Sequence, residues 1–247
     1  MFKIHPMPAM PLLADPPPWN GAQAPPALEP LGRSVLGNSI NLYNPRSANL
    51  LVVGGVHGDE SEGIFLAHLL LTAGCAVPVI PCLNPDGAFL RQRWNHNNVD
   101  LNRNLPTPDW QPTARNPRYP PGRAPGSEPE NQALLEAVRR VGATLVLSLH
   151  SFRETFVEIE RPPEETPPAV NQAVAEYTQA VGIERKQSIG YPTPGALGSF
   201  GRHNRLLVFT YELMRGASHG ELYRLLPPFL RLVEQLQSQP YLEAPRS

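Results

Sequence analysis

Four short apolar runs, each followed by a stretch with helical periodicity, set the plan of this chain. The runs are Leu50–Val53, Val77–Cys82, Thr144–Leu149 and Leu206–Thr210. Their length and β-branched content predict buried strands. Apolar positions three and four apart predict helices over Asp59–Thr72, Glu128–Val141, Ala169–Val181 and His219–Gln235. Ser127 with Glu130 and Ser218 with Glu221 have the spacing of helix-capping boxes. Gly182 is placed to stop the helix from Ala169. Pro227-Pro228 should kink or split the last helix. Strands alternating with helix-length segments predict an α/β fold: a mixed, largely parallel twisted sheet with helices on both faces.

The first thirty residues break this pattern. Nine prolines between Pro6 and Pro30 oppose both helix and central strand, and no apolar run survives that could serve as a secretory signal. Residues 1–30 are expected to be a Pro-rich arm and 31–247 one catalytic domain, with compact structure beginning between Leu31 and Ser34. A second long proline-rich stretch, Pro106 to Pro125, has the length of a functional surface loop.

With 247 residues, of which 41% are hydrophobic, one sizeable domain is sufficient. A net charge of -1 argues against nucleic-acid or anionic-membrane partners. No apolar run approaches the roughly 18 residues of a membrane span. Two cysteines, Cys75 and Cys82, are too few for a disulfide framework and read as reduced packing residues. The expected location is the cytoplasm, and the oligomeric state is left open.

The chemistry-bearing residues fall at the ends of the predicted strands. His57 and Glu60 follow the first, Asn84-Pro85-Asp86-Gly87 the second, His150 the third, and Glu212 closes the fourth. Ligands of open α/β sheets bind at such carboxyl ends. His-x-x-Glu with a later histidine is the ligand set of a catalytic zinc. Alone, His57 and Glu60 also describe an ordinary helix start, and His150 a hydrogen-bonded buried histidine. Glu212 is harder to explain structurally, because a carboxylate behind Val208-Phe209-Thr210 is costly to bury unpaired. The segment Arg93–Pro106 is dense in Arg and Asn, which suits carboxylate recognition but also a solvated loop.

GGVHGDE, NPDG, R-x-N-x-x-N-VDLNRN, SEPE, SLHS, GYPTPG and TYEL stand in one order across Gly32 to Leu213. In this the chain resembles the M14 zinc carboxypeptidases, and within them the small bacterial murein peptide amidase branch. The resemblance implies a hydrolase with one Zn2+ per chain on His57, Glu60 and His150, and Glu212 as catalytic glutamate, general base then acid. It implies that Arg93 polarises the scissile carbonyl, and that Asn102 and Arg103 hold the free terminal carboxylate of a small peptide substrate. Tyr191 resembles the mobile tyrosine that closes over the substrate. The bond implied is the amide between γ-D-glutamate and meso-diaminopimelate. Asn98 stands for a usual glycine and Leu105 for a usual phenylalanine. Ala196, Leu197, Gly198 and Ser199 are expected to wall the pocket, with no countercharge for a basic side chain. A hydrophobic C-terminal residue is the rival if Leu197 and Phe200 line it. Another reading is an N-acyl amino acid deacylase of the aspartoacylase or succinylglutamate desuccinylase kind, similar at His-x-x-Glu and DLNR. A further one is a non-catalytic binding module on the same fold.

Overall fold

A computed structural model describes residues 26–114 and 116–238. The expectation for the arm therefore lies, over residues 1–25, outside the described residues. One eight-stranded sheet organises the rest: β1 (Leu28–Arg33), β2 (Ser39–Tyr43), β3 (Leu50–Val53), β4 (Val79–Ile80), β5 (Leu145–Phe152), β6 (Phe156–Ile159), β7 (Glu184–Lys186) and β8 (Leu207–Met214). Its order is β1-β2-β4-β3-β5-β8-β6-β7. The central neighbours β4, β3, β5 and β8 are parallel, whereas β1–β2 and β6–β8 pair antiparallel.

Helices are α1 (Ser61–Thr72), α2 (Pro85–Leu90), α3 (Pro129–Val141), α4 (Pro168–Val181), α5 (Leu197–His203) and α6 (His219–Gln237), with a 3₁₀ turn at Leu101–Arg103. Side chains alternate across a strand, and the two cores divide accordingly. Leu50, Val52, Leu145, Leu147, Phe209 and Tyr211 pack under α1, α4 and α6. Leu51, Val53, Val146 and Val208 pack under α3 and α5. On that second face the alternation continues past the apolar residues to Ser148 and His150 on β5 and to Thr210 and Glu212 on β8. Strand register sets His150 beside Glu212 and Ser148 beside Thr210. Burial of the strand starts thus orients the polar strand ends.

Several sequence expectations are corrected. β1 begins at Leu28, inside the expected arm, because Pro30 is tolerated on an edge strand at a register shift between Pro30 and Gly32. The second apolar run forms only the two-residue β4, since Pro78 and Pro81 bracket it and have no N–H for the ladder. Ser127 does not cap α3. Its hydroxyl donates to Glu128, the residue at the cap position, and Glu128 and Glu130 both accept from the Asn95 amide. The last helix is not split by Pro227-Pro228. The carbonyls left without donors are those of Tyr223 and Arg224, both exposed, so water can satisfy them. The Ser218–Glu221 capping box and the left-handed Gly182 are present as expected.

Candidate active site

His57 sits in the turn between β3 and α1. Gly58 permits that turn, because a Cβ there would lie 1.9 Å from the Gly87 carbonyl carbon. The strand-end loops can therefore close on one another. Glu60 precedes the first turn of α1 and projects back beneath His57. His57 Nδ1 lies 3.0 Å from Glu60 Oε1, and His150 Nδ1 lies 2.8 Å from Glu60 Oε2. Within 4.8 Å, each of these three buried residues offers one ligand atom, the only such cluster among the described residues. Both imidazoles turn Nδ1 inward. Their Nε2 atoms are held from behind, by Asp100 Oδ1 at 3.1 Å for His57 and by Ser148 Oγ at 3.0 Å for His150. Two histidines and a carboxylate, with the far ring nitrogens anchored, fit a catalytic zinc.

Asp100 does more than orient His57. Fully buried, it also accepts from Arg93 Nε at 2.9 Å and from the Asn102 amide at 3.0 Å. Burial pushes its carboxyl up, but His57 and Arg93 outweigh that and hold it well below the usual carboxylate range. Sequence reading passed over this residue, although it stands inside the VDLNRN motif. Arg93 is thereby fixed with Nη1 3.5 Å from Glu60 Oε1.

Glu212 behaves oppositely. No side chain among the described residues hydrogen-bonds its carboxylate. Burial first, with Glu60 and Glu158 adding repulsion against the pull of His150 and Arg93, pushes it up to about 7. That range suits a group that must both take and give a proton near neutrality.

All eight residues singled out from sequence, His57, Glu60, Arg93, Asn102, Arg103, His150, Tyr191 and Glu212, line a single cleft of about 640 Å³. Asn102 Oδ1 accepts from the Leu197 amide at 2.8 Å, tying the 3₁₀ turn to the start of α5. Asn98 has φ 57°, a left-handed conformation asparagine tolerates, which explains how it stands where the family has glycine. Leu105 is buried in the core beneath α3 and α5. Leu197 lines the cleft, but Phe200 packs against that core instead, so the hydrophobic pocket loses one of its two expected walls.

Two further contributions were missed. The Pro-rich loop delivers Tyr119, whose ring lies 5.2 Å from the Arg93 guanidinium carbon, 4.9 Å from that of Arg103 and 6.4 Å from the Tyr191 ring. A single tyrosine between Arg118 and two prolines in a suspected functional loop was the available signal. The other contribution corrects the expected lack of countercharge. Glu158 on β6 and Glu160 just after that strand bring it to the cleft, not the segment 196–199.

Comparison with known proteins agrees with this geometry. Residues 28–213 match the Peptidase M14 zinc carboxypeptidase family, and the chain belongs to it. It is a zinc metallocarboxypeptidase by class, a hydrolytic enzyme. Murein peptide amidase A of Escherichia coli K12 is 32% identical over 213 residues, covering 76% of this chain and 81% of that protein. The crystal structure of murein-tripeptide amidase MpaA from Escherichia coli O157 superposes with a TM-score of 0.69 at 29% identity, over 85% of this chain and 94% of that one. Thrombin activatable fibrinolysis inhibitor, at 17% identity and a TM-score of 0.72 over 86% of this chain and 71% of that one, shares the fold.

Proposed function

We propose that this enzyme is an exopeptidase of short murein peptides, cutting the amide between γ-D-glutamate and a C-terminal meso-diaminopimelate. The observation that carries the reading is the meeting, in one cleft, of the His57–Glu60–His150 cluster and Glu212 with Asn102, Arg103 and Tyr191. Residues able to hold a terminal carboxylate next to the reacting centre favour a cut one residue from a free C-terminus. The identity with murein peptide amidase A supports the class of peptide.

Zinc held by His57, Glu60 and His150 supplies Lewis acidity at the scissile amide. Glu212 takes the proton of the attacking water and returns it to the leaving amine, for which a pKa near neutrality is matched. The Arg93 guanidinium, kept in place by Asp100, stabilises negative charge developing on the carbonyl oxygen. Arg103 and Asn102 take the terminal carboxylate, and Tyr191 with Tyr119 covers it. No helix among the described residues is long and apolar enough to cross a membrane. The free thiols of Cys75 and Cys82 fit a reducing compartment, and with it a cytoplasmic role in peptidoglycan recycling.

The deciding experiment is a competition between L-Ala-γ-D-Glu-meso-diaminopimelate and the same peptide ending in Lys or Phe, with the released amino acid quantified. Preferential release of diaminopimelate is expected. Equal or faster release of Phe refutes the assignment.

A further inference from the structure

The cleft extends beyond the reacting centre along the sheet. Thr210 lies two residues behind Glu212 on β8, roughly 6–7 Å deeper at strand rise, and both line the cleft. Glu158 is its register partner on antiparallel β6. The same alternation that aims Glu212 at the cleft therefore aims Thr210 and Glu158 at its far end.

Glu158 is anomalous there. It is 6% exposed, yet no lysine, arginine or histidine pairs with it among the described residues. Its one hydrogen bond among the described residues is from the Ile189 amide to Oε1, at 2.9 Å. Burial pushes its carboxyl up, only partly opposed by that amide and by His150 and Arg202. A buried carboxylate without a cation is unfavourable unless a ligand brings one. Beside it, Glu160 is bonded to Arg202 Nη1 and backs onto Gly198, where a Cβ would lie 2.5 Å from the Glu160 carboxyl carbon. Among the described residues Arg202 hydrogen-bonds only Glu160, through that one donor, and it is 43% exposed, so its other donors meet no acceptor there.

Resting on the exopeptidase reading above, we propose that Glu158 determines specificity. Its carboxylate receives the ammonium at the far end of the C-terminal residue's side chain, while Arg202, steadied by Glu160, receives the carboxylate on the same carbon. Glu158 within the cleft and Arg202, bonded to the cleft-lining Glu160, together suit a zwitterion, the feature that separates diaminopimelate from lysine.

The test measures kcat and KM on L-Ala-γ-D-Glu peptides ending in meso-diaminopimelate, Lys or norleucine, for wild type, Glu158→Gln and Arg202→Gln. Gln keeps an oxygen for the Ile189 amide, so Glu158→Gln should fold and retain its metal. Wild type is expected to rank diaminopimelate above Lys and Lys above norleucine. Glu158→Gln should lose roughly 10²-fold in kcat/KM on the two charged peptides, mainly through KM, and change norleucine far less, by no more than the loss of its repulsion on Glu212 moves the pH profile. Arg202→Gln should bring diaminopimelate down to the Lys value. An equal loss on all three substrates, or none, overturns the role of Glu158. An unchanged diaminopimelate-to-Lys ratio in Arg202→Gln overturns that of Arg202. Wild-type inhibition by the free amino acids is an independent check, since norleucine inhibiting as strongly as lysine also overturns the proposal. A wild type that cleaves none of the peptides refutes the exopeptidase reading instead, so the two failures are distinguishable.

Discussion

Replacing Asp100 by Asn tests whether one buried carboxylate couples the metal cluster to Arg93. The side chains have the same shape, but the three bonds at Asp100 all need an acceptor: His57 Nε2 and the Asn102 amide on Oδ1, and Arg93 Nε on Oδ2. An amide offers one acceptor and one donor. Keeping its oxygen toward His57 and Asn102 satisfies two partners and sets its NH2 against Arg93 Nε, donor facing donor. The reverse orientation leaves two donors opposed and is worse. The variant therefore loses the Arg93 bond and the negative charge behind His57. A hydrogen bond to a charged group contributes about 1.5–3 kcal/mol, and each 1.4 kcal/mol is tenfold. The expected result is a fall of about 10- to 100-fold in kcat/KM, with a comparable loss of zinc affinity, as for other residues behind metal-bound histidines. Fold should persist, since Arg93 keeps its contact with Glu60. Metal content under competition with a chelator and kcat/KM on the diaminopimelate tripeptide measure the two effects separately. Wild-type zinc retention together with turnover within threefold of wild type refutes the coupling.

Four further outcomes are expected. Glu212→Gln should retain zinc and lose turnover by at least 10²-fold. In wild type, kcat/KM should rise with pH as Glu212 deprotonates, the group being pushed up to about 7 and drawn lower by bound cation, so activity is lost on the acid side. Arg103→Ala should weaken every substrate with a free terminal carboxylate by roughly 2–4 kcal/mol and spare zinc, and a loss confined to diaminopimelate peptides would place that contact elsewhere. His68, buried in α1 with Nδ1 unpartnered, is held neutral by burial, its pKa pushed down from 6.5 to about 4. Its folded pKa lies below its unfolded one, so the unfolded chain binds the extra proton between those values and stability falls as pH drops from 6.5 to 4. The loss is roughly 3 kcal/mol across that window. His68→Gln should flatten this part of the stability curve, measured by urea unfolding at several pH values.

Much of the fold was written in local pattern. The runs of β3, β5 and β8 and the long helices are regular enough that periodicity alone identifies them. β6 and β7 escaped, because Phe156–Ile159 and Glu184–Lys186 are short and carry charges that look like loop. Strand ends also indicated where His57, His150 and Glu212 would meet, since side-chain alternation and the carboxyl ends of parallel strands follow from chain geometry.

Pairing across the sheet decided the rest. Asp100 reads as one more polar residue in a polar segment until the fold brings it within bonding distance of both His57 and Arg93. Tyr119 belongs to a proline-rich loop with no period, and only its docking sets it over two arginines. Glu158 shows the division most clearly. In sequence it is an ordinary charge in Phe156–Glu160, and a charge run is normally solvated. Antiparallel register with Thr210 buries it at the end of the cleft, with no cation paired to it among the described residues. Burial and partnership are properties of residues distant in the chain, so no local pattern could report them. The candidate metal ligands were legible because that chemistry demands particular residue types at strand ends, whereas the proposed specificity depends on which strand lies next to β8.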